Sequence, residues 1–316
     1  MKKFAYILAF GAAGLTLFYS CSKKYDKTGS ITTGQYFSAE NLFASLAVHA
    51  KVVTIDAQRD TSFFGNSGTR YSFYANTLMT AGGALVTGKV QLQVAEYLQK
   101  GDMLFSKMLP VSNDEPLISG GEINVSASQD GQKLFMRPGA TFDANMPQPG
   151  GAPTGMLFFT AQTATDTTQT KANWINTTDT LSEGAIVING DTLKMISDSL
   201  TMCNADRFMT SPNYQSFSVT VSVIGATLPS ANKVFGYTLY DNFKGEQILG
   251  RIGGYADGVF TESHVPDIPV HFGIFALIDG YFYGGIIGVT PANGSNYAVT
   301  LVKMDPNTFK TQLNGM

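Results

Sequence analysis

Few side chains in this 316-residue chain are equipped for chemistry, and their spacing is informative. His49, His264 and His271 are the only histidines, and none stands at metal-ligand spacing from another or beside a cysteine or acid cluster. A Gly-x-Ser-x-Gly nucleophile elbow is absent, and Cys203 carries no local signature of a reactive thiol. Gly83-Ala84-Leu85-Val86-Thr87-Gly88-Lys89 has the lettering of a phosphate loop, but Val90 stands where a hydroxyl should hold magnesium. The alternating residues after it predict a strand where phosphate binding needs a helix N-terminus. Asp241-Asn242 with Gly245-Glu246 has too few spaced oxygens for a calcium loop. These residues predict no catalytic site, no metal and no cofactor. Two binding features remain. Asp206 and Arg207 can form a charge-assisted pair at a strand end or a ligand contact, and Tyr255, Tyr281 and Tyr283 can offer aromatic faces to a ligand.

The N-terminus carries a different chemistry. Lys2 and Lys3 precede an apolar run from Phe4 to Phe18, interrupted by Gly11 and Gly14, and Ser20-Cys21-Ser22 follows. About 15 apolar residues are fewer than the roughly 20 a membrane-spanning helix needs, so the run reads as a secretory signal over 1–20. Around Cys21 the sequence resembles a bacterial lipoprotein signal, and Ser22-Lys23-Lys24-Tyr25-Asp26 resembles the charged tether of surface lipoproteins in Bacteroidota. The resemblance implies lipidation at Cys21 and an outer-membrane address, facing the periplasm or the cell surface. At about 0.8 kcal/mol per buried methylene, several acyl chains make such an anchor effectively permanent. Residues 21–34 are polar and unpatterned and read as a tether.

Cleavage before Cys21 removes Lys2 and Lys3 from 21 basic side chains and none of the 24 acidic ones, moving the net charge from −3 to about −5. That balance excludes nucleic acid as an expected partner. With Cys21 lipidated, Cys203 has no disulfide partner and is expected as a buried free thiol.

The elements that must hold these groups are mostly strands. Gly (33), Phe (22) and Tyr (14) are abundant and only 14% of residues are charged, which suits short strands and tight turns. One helix is predicted over 38–47, capped by Ser38, with Leu42, Phe43 and Leu46 on one face. Alternation then predicts strands over 51–56, 69–74, 90–95, 122–127, 133–136 and 141–144, with turns at Asp130-Gly131 and Pro138-Gly139. Pro147-Gln148-Pro149-Gly150-Gly151-Ala152-Pro153 can hold neither helix nor ladder. Residues 148–155 are therefore read as a linker between an N-terminal β-sandwich module (35–147) and a C-terminal β domain (156–316). In the second half, strands are predicted over 185–188, 217–224, 234–240, 268–277, 281–289 and 297–302, with hairpin turns at Asn189-Gly190, Asp279-Gly280 and Asn293-Gly294. The fold class expected is all-β, with two antiparallel sandwich-like domains after signal, tether and one short helix.

The stretch from Phe63 to Pro147 resembles the β-sandwich module of ankyrins, netrin receptors and zonula-occludens proteins, as it recurs in Bacteroidota surface lipoproteins. The residues that carry it are 65–73, 88–96, Asp102-Met103-Leu104 and 119–125. The second half is similar to uncharacterised partners of that module through Cys203-Asn204-Ala205-Asp206-Arg207-Phe208. The resemblance implies protein binding or scaffolding rather than catalysis. Some members cleave themselves at His-Phe-Ser; the nearest match, His271-Phe272-Gly273, lacks the serine. Asp-Ser/Thr-apolar triplets at Thr167, Thr180, Thr192 and Ser199 resemble O-glycosylation acceptors of exported proteins. The reading is thus an outer-membrane-anchored, non-catalytic module that binds another envelope protein. The alternative is a glycan- or nutrient-binding lipoprotein using Tyr255, Tyr281 and Tyr283.

Overall fold

The computed structural model describes residues 35–316 apart from 114, 165–169, 178–183, 210–212 and 242–245, and apart from the side chain at 264. Cys21, Thr167 and Thr180 lie outside the described residues. The fold is all-β with several, mainly antiparallel, sheets.

The first body runs from β1 to β15. Its strands are β1 (Lys51–Asp56), β2 (Thr61–Phe64), β3 (Arg70–Phe73), β4 (Leu78–Met79), β5 (Lys89–Tyr97), β6 (Val111–Ser112), β7 (Glu115–Gln129), β8 (Gln132–Lys133), β9 (Phe135–Met136), β10 (Phe142–Pro147), β11 (Leu157–Thr163), β12 (Ala172–Asn176), β13 (Ala185–Asn189), β14 (Thr192–Ser197) and β15 (Met202–Phe208). One sheet has the order β1-β5-β7-β15-β11-β12 and the facing sheet β13-β14-β10-β3-β2. Period-two alternation builds the core between them: Val90, Leu92 and Val94 point in while Gln91 and Gln93 stay exposed. Tyr71, Phe73, Phe142 and Met195 come from the other sheet. The Phe73 and Phe142 rings stack 5.0 Å apart.

This topology corrects the domain boundary. The strands on both sides of 148–155 belong to one sandwich, because β10 pairs with β14 and β7 pairs with β15. Proline removes a ladder donor, but here the segment makes a tight connection within the sandwich: the Ala152 amide bonds the Gly190 carbonyl and the Gln148 amide the Asp191 carbonyl. By sheet membership the change of body falls after β15, not at 148–155.

The second body contains β16 (Tyr214–Val223), β17 (Val234–Tyr240), β18 (Leu249–Arg251), β19 (Tyr255–Ala256), β20 (Val259–Pro266), β21 (Val270–Ile278), β22 (Tyr281–Val289) and β23 (Asn296–Lys303). Their order is β18-β17-β21-β22-β23-β16-β20-β19. The two ends of this order are one stretch of chain. Ile252 bonds back to Gly236 of β17 and Gly254 accepts from Thr261 of β20, so the sheet rolls up on itself. One pair, β16 with β23, is parallel, a departure from the antiparallel expectation. Asp279 and Gly280, at φ 50° and 81°, make the predicted hairpin turn between β21 and β22.

Helix α1 (Ala39–Leu46) matches its expectation: Ser38 Oγ accepts from the Asn41 amide, and Leu42, Phe43 and Leu46 are buried. Two further helices, α2 (Lys100–Ser106) and α3 (Pro306–Asn314), were not anticipated. All three pack on the outer face of β17, β21 and β22, where Phe235, Tyr237, Leu239, Phe275 and Phe282 join a second core. The sandwich adds Tyr97, Leu117, Phe159 and Trp174 to that same core. A backbone bridge between Ser119 and Gln247, 2.8 and 2.7 Å, and an Arg207–Glu246 ion pair, 2.9 Å, lie along the seam.

Phe275 is the centre of this second core. Replacing it with Ala should destabilise the chain by about 3–5 kcal/mol, read as a lowered urea midpoint. A loss below about 1 kcal/mol would show that the helices are held by something else.

Candidate functional site

A recess lies at the rim of the rolled sheet, between α1 and the bent segment of β18 and β19. It measures about 610 Å³ and is open to solvent. Five segments build it. Helix α1 contributes Glu40 and Phe43, and Lys107 follows α2. The start of β17 contributes Phe235 and the turn before it Asn232, β18 contributes Arg251, and Tyr255 and Phe260 come from β19 and β20.

Each lining group has a local cause. Lys107 ends α2 in the left-handed conformation, φ 56°, which turns its side chain back over α1. Its ammonium lies 2.9 Å from Glu40 Oε2 and 4.9 Å from the centre of the Phe43 ring. The Lys107 hydrogen bond and charge hold the Glu40 carboxyl below its ordinary value. Tyr255 and Phe260 are opposite each other in register, with ring centroids 4.6 Å apart. Gly236 makes room for that pair, since a Cβ there would sit 2.8 Å from the Phe260 ring. Burial, and then Asp257, raises the Tyr255 phenol. The recess therefore combines aromatic faces with two cations and one carboxylate.

The other tyrosines named from sequence lie elsewhere. Tyr283 is buried and lines a separate recess of about 420 Å³ with Lys233 and Asp279. Tyr281 has Lys303 Nζ 3.2 Å from its ring centre. The three do not form one platform, because Tyr255 is carried by the bent closing segment and the other two by β22. Asp206 and Arg207 do not pair either: adjacent strand residues face opposite ways, so Arg207 bonds Glu246 and Asp206 meets Asn204.

Of the histidines, His49 is exposed, and His271 Nδ1 lies 2.7 Å from Asp241 Oδ1. Gly83 to Gly88 form a loop that leads into strand β5, as the alternation requires. Thr192 opens β14, half-buried and paired with Pro147, and the Ser199 amide bonds Ser197 Oγ. Cys203 is a buried thiol outside any disulfide among the described residues, its Sγ 3.7 Å from Ser197 Oγ and 3.8 Å from the Thr201 carbonyl.

Sequence reading missed a buried polar cluster on the sandwich side of the seam. Glu122, Asn204, Asp206 and Ser119 are all 0% exposed. Asn204 Nδ2 donates to Asp206 Oδ2 at 2.6 Å and to Glu122 Oε1 at 3.3 Å, and its Oδ1 accepts from Ser119 Oγ at 3.0 Å. Asn204 and Asp206 share a face by strand alternation, and the register shift opposite them, where β7 carries one extra residue, brings Ser119 and Glu122, three apart, onto that same face. Burial raises both carboxyls well above their ordinary range, and Asp206 adds to the rise at Glu122. Burial, and then Glu122, also pushes the neighbouring Tyr97 phenol up to about 12.

The folded chain thus holds protons here that the unfolded chain releases above about pH 4. This stabilisation is complete below the unfolded-state pKa and is lost as pH rises through the folded-state values. Urea midpoints should therefore fall as pH rises above the ordinary carboxylate range, and the double variant Glu122→Gln, Asp206→Asn should flatten that dependence. A wild-type midpoint that rises over this window would contradict the assignment.

No protein-family model matches the chain, and no curated protein does. Among solved structures it is similar to the major pilin subunit of Bacillus cereus at 9% identity and a TM-score of 0.18, over 81% of this chain and 95% of that one. A likeness at that level carries no argument about function.

Proposed function

We propose that this chain is a non-catalytic protein-binding module of the cell envelope, held at the outer membrane by lipid on Cys21. The observation that favours protein binding is the pair of terminal strands, β1 and β2, which end the two sheets of the sandwich and follow each other in the chain. The Ala57 amide bonds the Gly88 carbonyl, so in the alternating antiparallel ladder Val53 and Ile55 face β5 while Val52 and Thr54 turn their backbone groups outward. The Gly65 amide bonds the Thr69 carbonyl, which likewise turns Ser62 and Phe64 outward, the Phe64 carbonyl accepting from Lys51 Nζ at 2.7 Å. Val52 (56% exposed) and Phe64 (60% exposed) add apolar side chains to these edges. An outward edge of this kind accepts an added strand from a partner.

A second reading, capture of a glycan or nutrient, is favoured by the recess at Tyr255. A photo-crosslinking residue at position 52 or 64 in cells should give one discrete protein adduct, and Cys21→Ser should release the protein from membranes. No adduct at either position would count against the strand-addition reading, and a Cys21→Ser protein that stays in the membrane fraction would overturn the anchor.

A further inference from the structure

We infer that this chain pairs with a second copy of itself through β13, which ends its sheet at the far side from β2, so that two such sheets become one. Among the described residues no strand pairs with the outer side of β13. Asn189 and Thr192 close a two-residue turn at Gly190-Asp191, so in the alternating ladder Ala185, Val187 and Asn189 bond β14 while Ile186 and Ile188 turn their backbone groups outward. Sheet edges are ordinarily blunted by charge, proline or a bulge, and Ala185-Ile186-Val187-Ile188-Asn189 has none of these. The other sheet ends differently: β1 carries Lys51 and Asp56, and on β12 Asn173 Oδ1 accepts from the Asn113 amide at 2.7 Å.

The strand is complementary to itself. Antiparallel pairing about a two-fold axis at Val187 sets Ile186 of each copy opposite Ile188 of the other, and these are the residues whose amides and carbonyls point outward. A slip by one residue would oppose an outward-facing residue with an inward-facing one. Both isoleucines lie on the core side, since their neighbours across β14 are the buried Met195 and Leu193. Val187 is 45% and Ile188 40% exposed, so pairing covers apolar surface and carries the core row from one sandwich into the next. It brings no like charges together, because the strand is uncharged and Lys194, opposite Val187, is already paired with Asp143 at 2.7 Å. Five residues from each copy are fewer than the about 20–30 a side of a stable interface, so the pair is weak in solution. Lipid on Cys21, as proposed above, would favour it by confining copies to one surface. The edges β1 and β2 stay open to another partner.

Sedimentation velocity of the mature chain carrying Cys21→Ser should show a reversible monomer–dimer equilibrium with a Kd of about 10–100 µM. Adding Ile188→Lys should weaken the dimer at least about tenfold, with an unchanged thermal melt showing that the variant folds. Val187 meets its own copy at a non-hydrogen-bonded position, where Cα atoms are about 4.5 Å apart, so Val187→Cys should give a disulfide-linked dimer under mild oxidation. Ala185→Cys, set opposite Asn189, should not, and the parent, whose Cys203 is buried, is the control. A chain that stays monomeric up to about 1 mM, well above that Kd, overturns the inference. So does a dimer that Ile188→Lys leaves unchanged, which would place the contact elsewhere. If Ile188→Lys lowers the melt, the Val187→Cys crosslink decides: its absence overturns the inference, and equal crosslinking at 185 and 187 overturns the pairing about Val187.

Discussion

The Phe275 ring is the contact on which the rest of the structure depends. It lies 5.0 Å from Phe235, 5.3 Å from Phe282, 5.7 Å from Phe105, 5.8 Å from Phe309 and 6.0 Å from both Phe43 and Tyr237. Those partners come from α1, α2, α3, β17 and β22, so one buried ring ties these three helices to the outer face of the rolled sheet. Polar contacts then fix the register of the helices. Lys310 bonds the Leu46 carbonyl and pairs with Asp102, the Gly101 amide bonds Asn314 Oδ1, and Lys100 donates to the Met316 carbonyl. The same core continues into the sandwich through Tyr97, Phe159 and Trp174. Its indole N–H is satisfied by the Leu109 carbonyl.

Buried carboxylates are used in two contrasting ways. Glu96 accepts from the Ser67 and Thr69 amides, at 2.7 and 2.9 Å, and so fixes the turn between β2 and β3. Gly65 is required there, since a Cβ would collide with the Glu96 carboxylate. Glu122 and Asp206 instead share a single amide donor, Asn204 Nδ2, and each keeps one oxygen without a hydrogen bond. Such a site favours protons over charge, which makes the seam sensitive to pH.

Much of the fold was legible in sequence because it obeys local rules. The Val90-Leu92-Val94 alternation, the Ser38 cap and the Asp279-Gly280 turn each required only neighbouring residues. Helix α2 was not legible: Met103, Leu104 and Phe105 are consecutive apolar residues without periodicity, and the surrounding core, not propensity, makes them helical. Helix α3 did carry a signal, Asp305 as cap before Pro306 with Phe309 and Leu313 four apart. The 148–155 boundary failed because proline and glycine report broken ladders, not where a body ends. Of the recess, only Tyr255 was named from sequence as a ligand contact, Phe43 being read there as core. Glu40, Lys107 and Arg251 meet through long-range packing, and the Glu122–Asp206 pairing depends on a register shift between distant strands.

A shared core has a consequence for any binding role, since a partner on the sandwich edge and a ligand at the sheet rim would act on one rigid body. Differential scanning calorimetry of the mature chain tests that claim most directly. One transition whose van't Hoff enthalpy equals the calorimetric enthalpy is the predicted result. Two resolved transitions, or a van't Hoff enthalpy near half the calorimetric value, would show that sandwich and rolled sheet unfold independently and would contradict it.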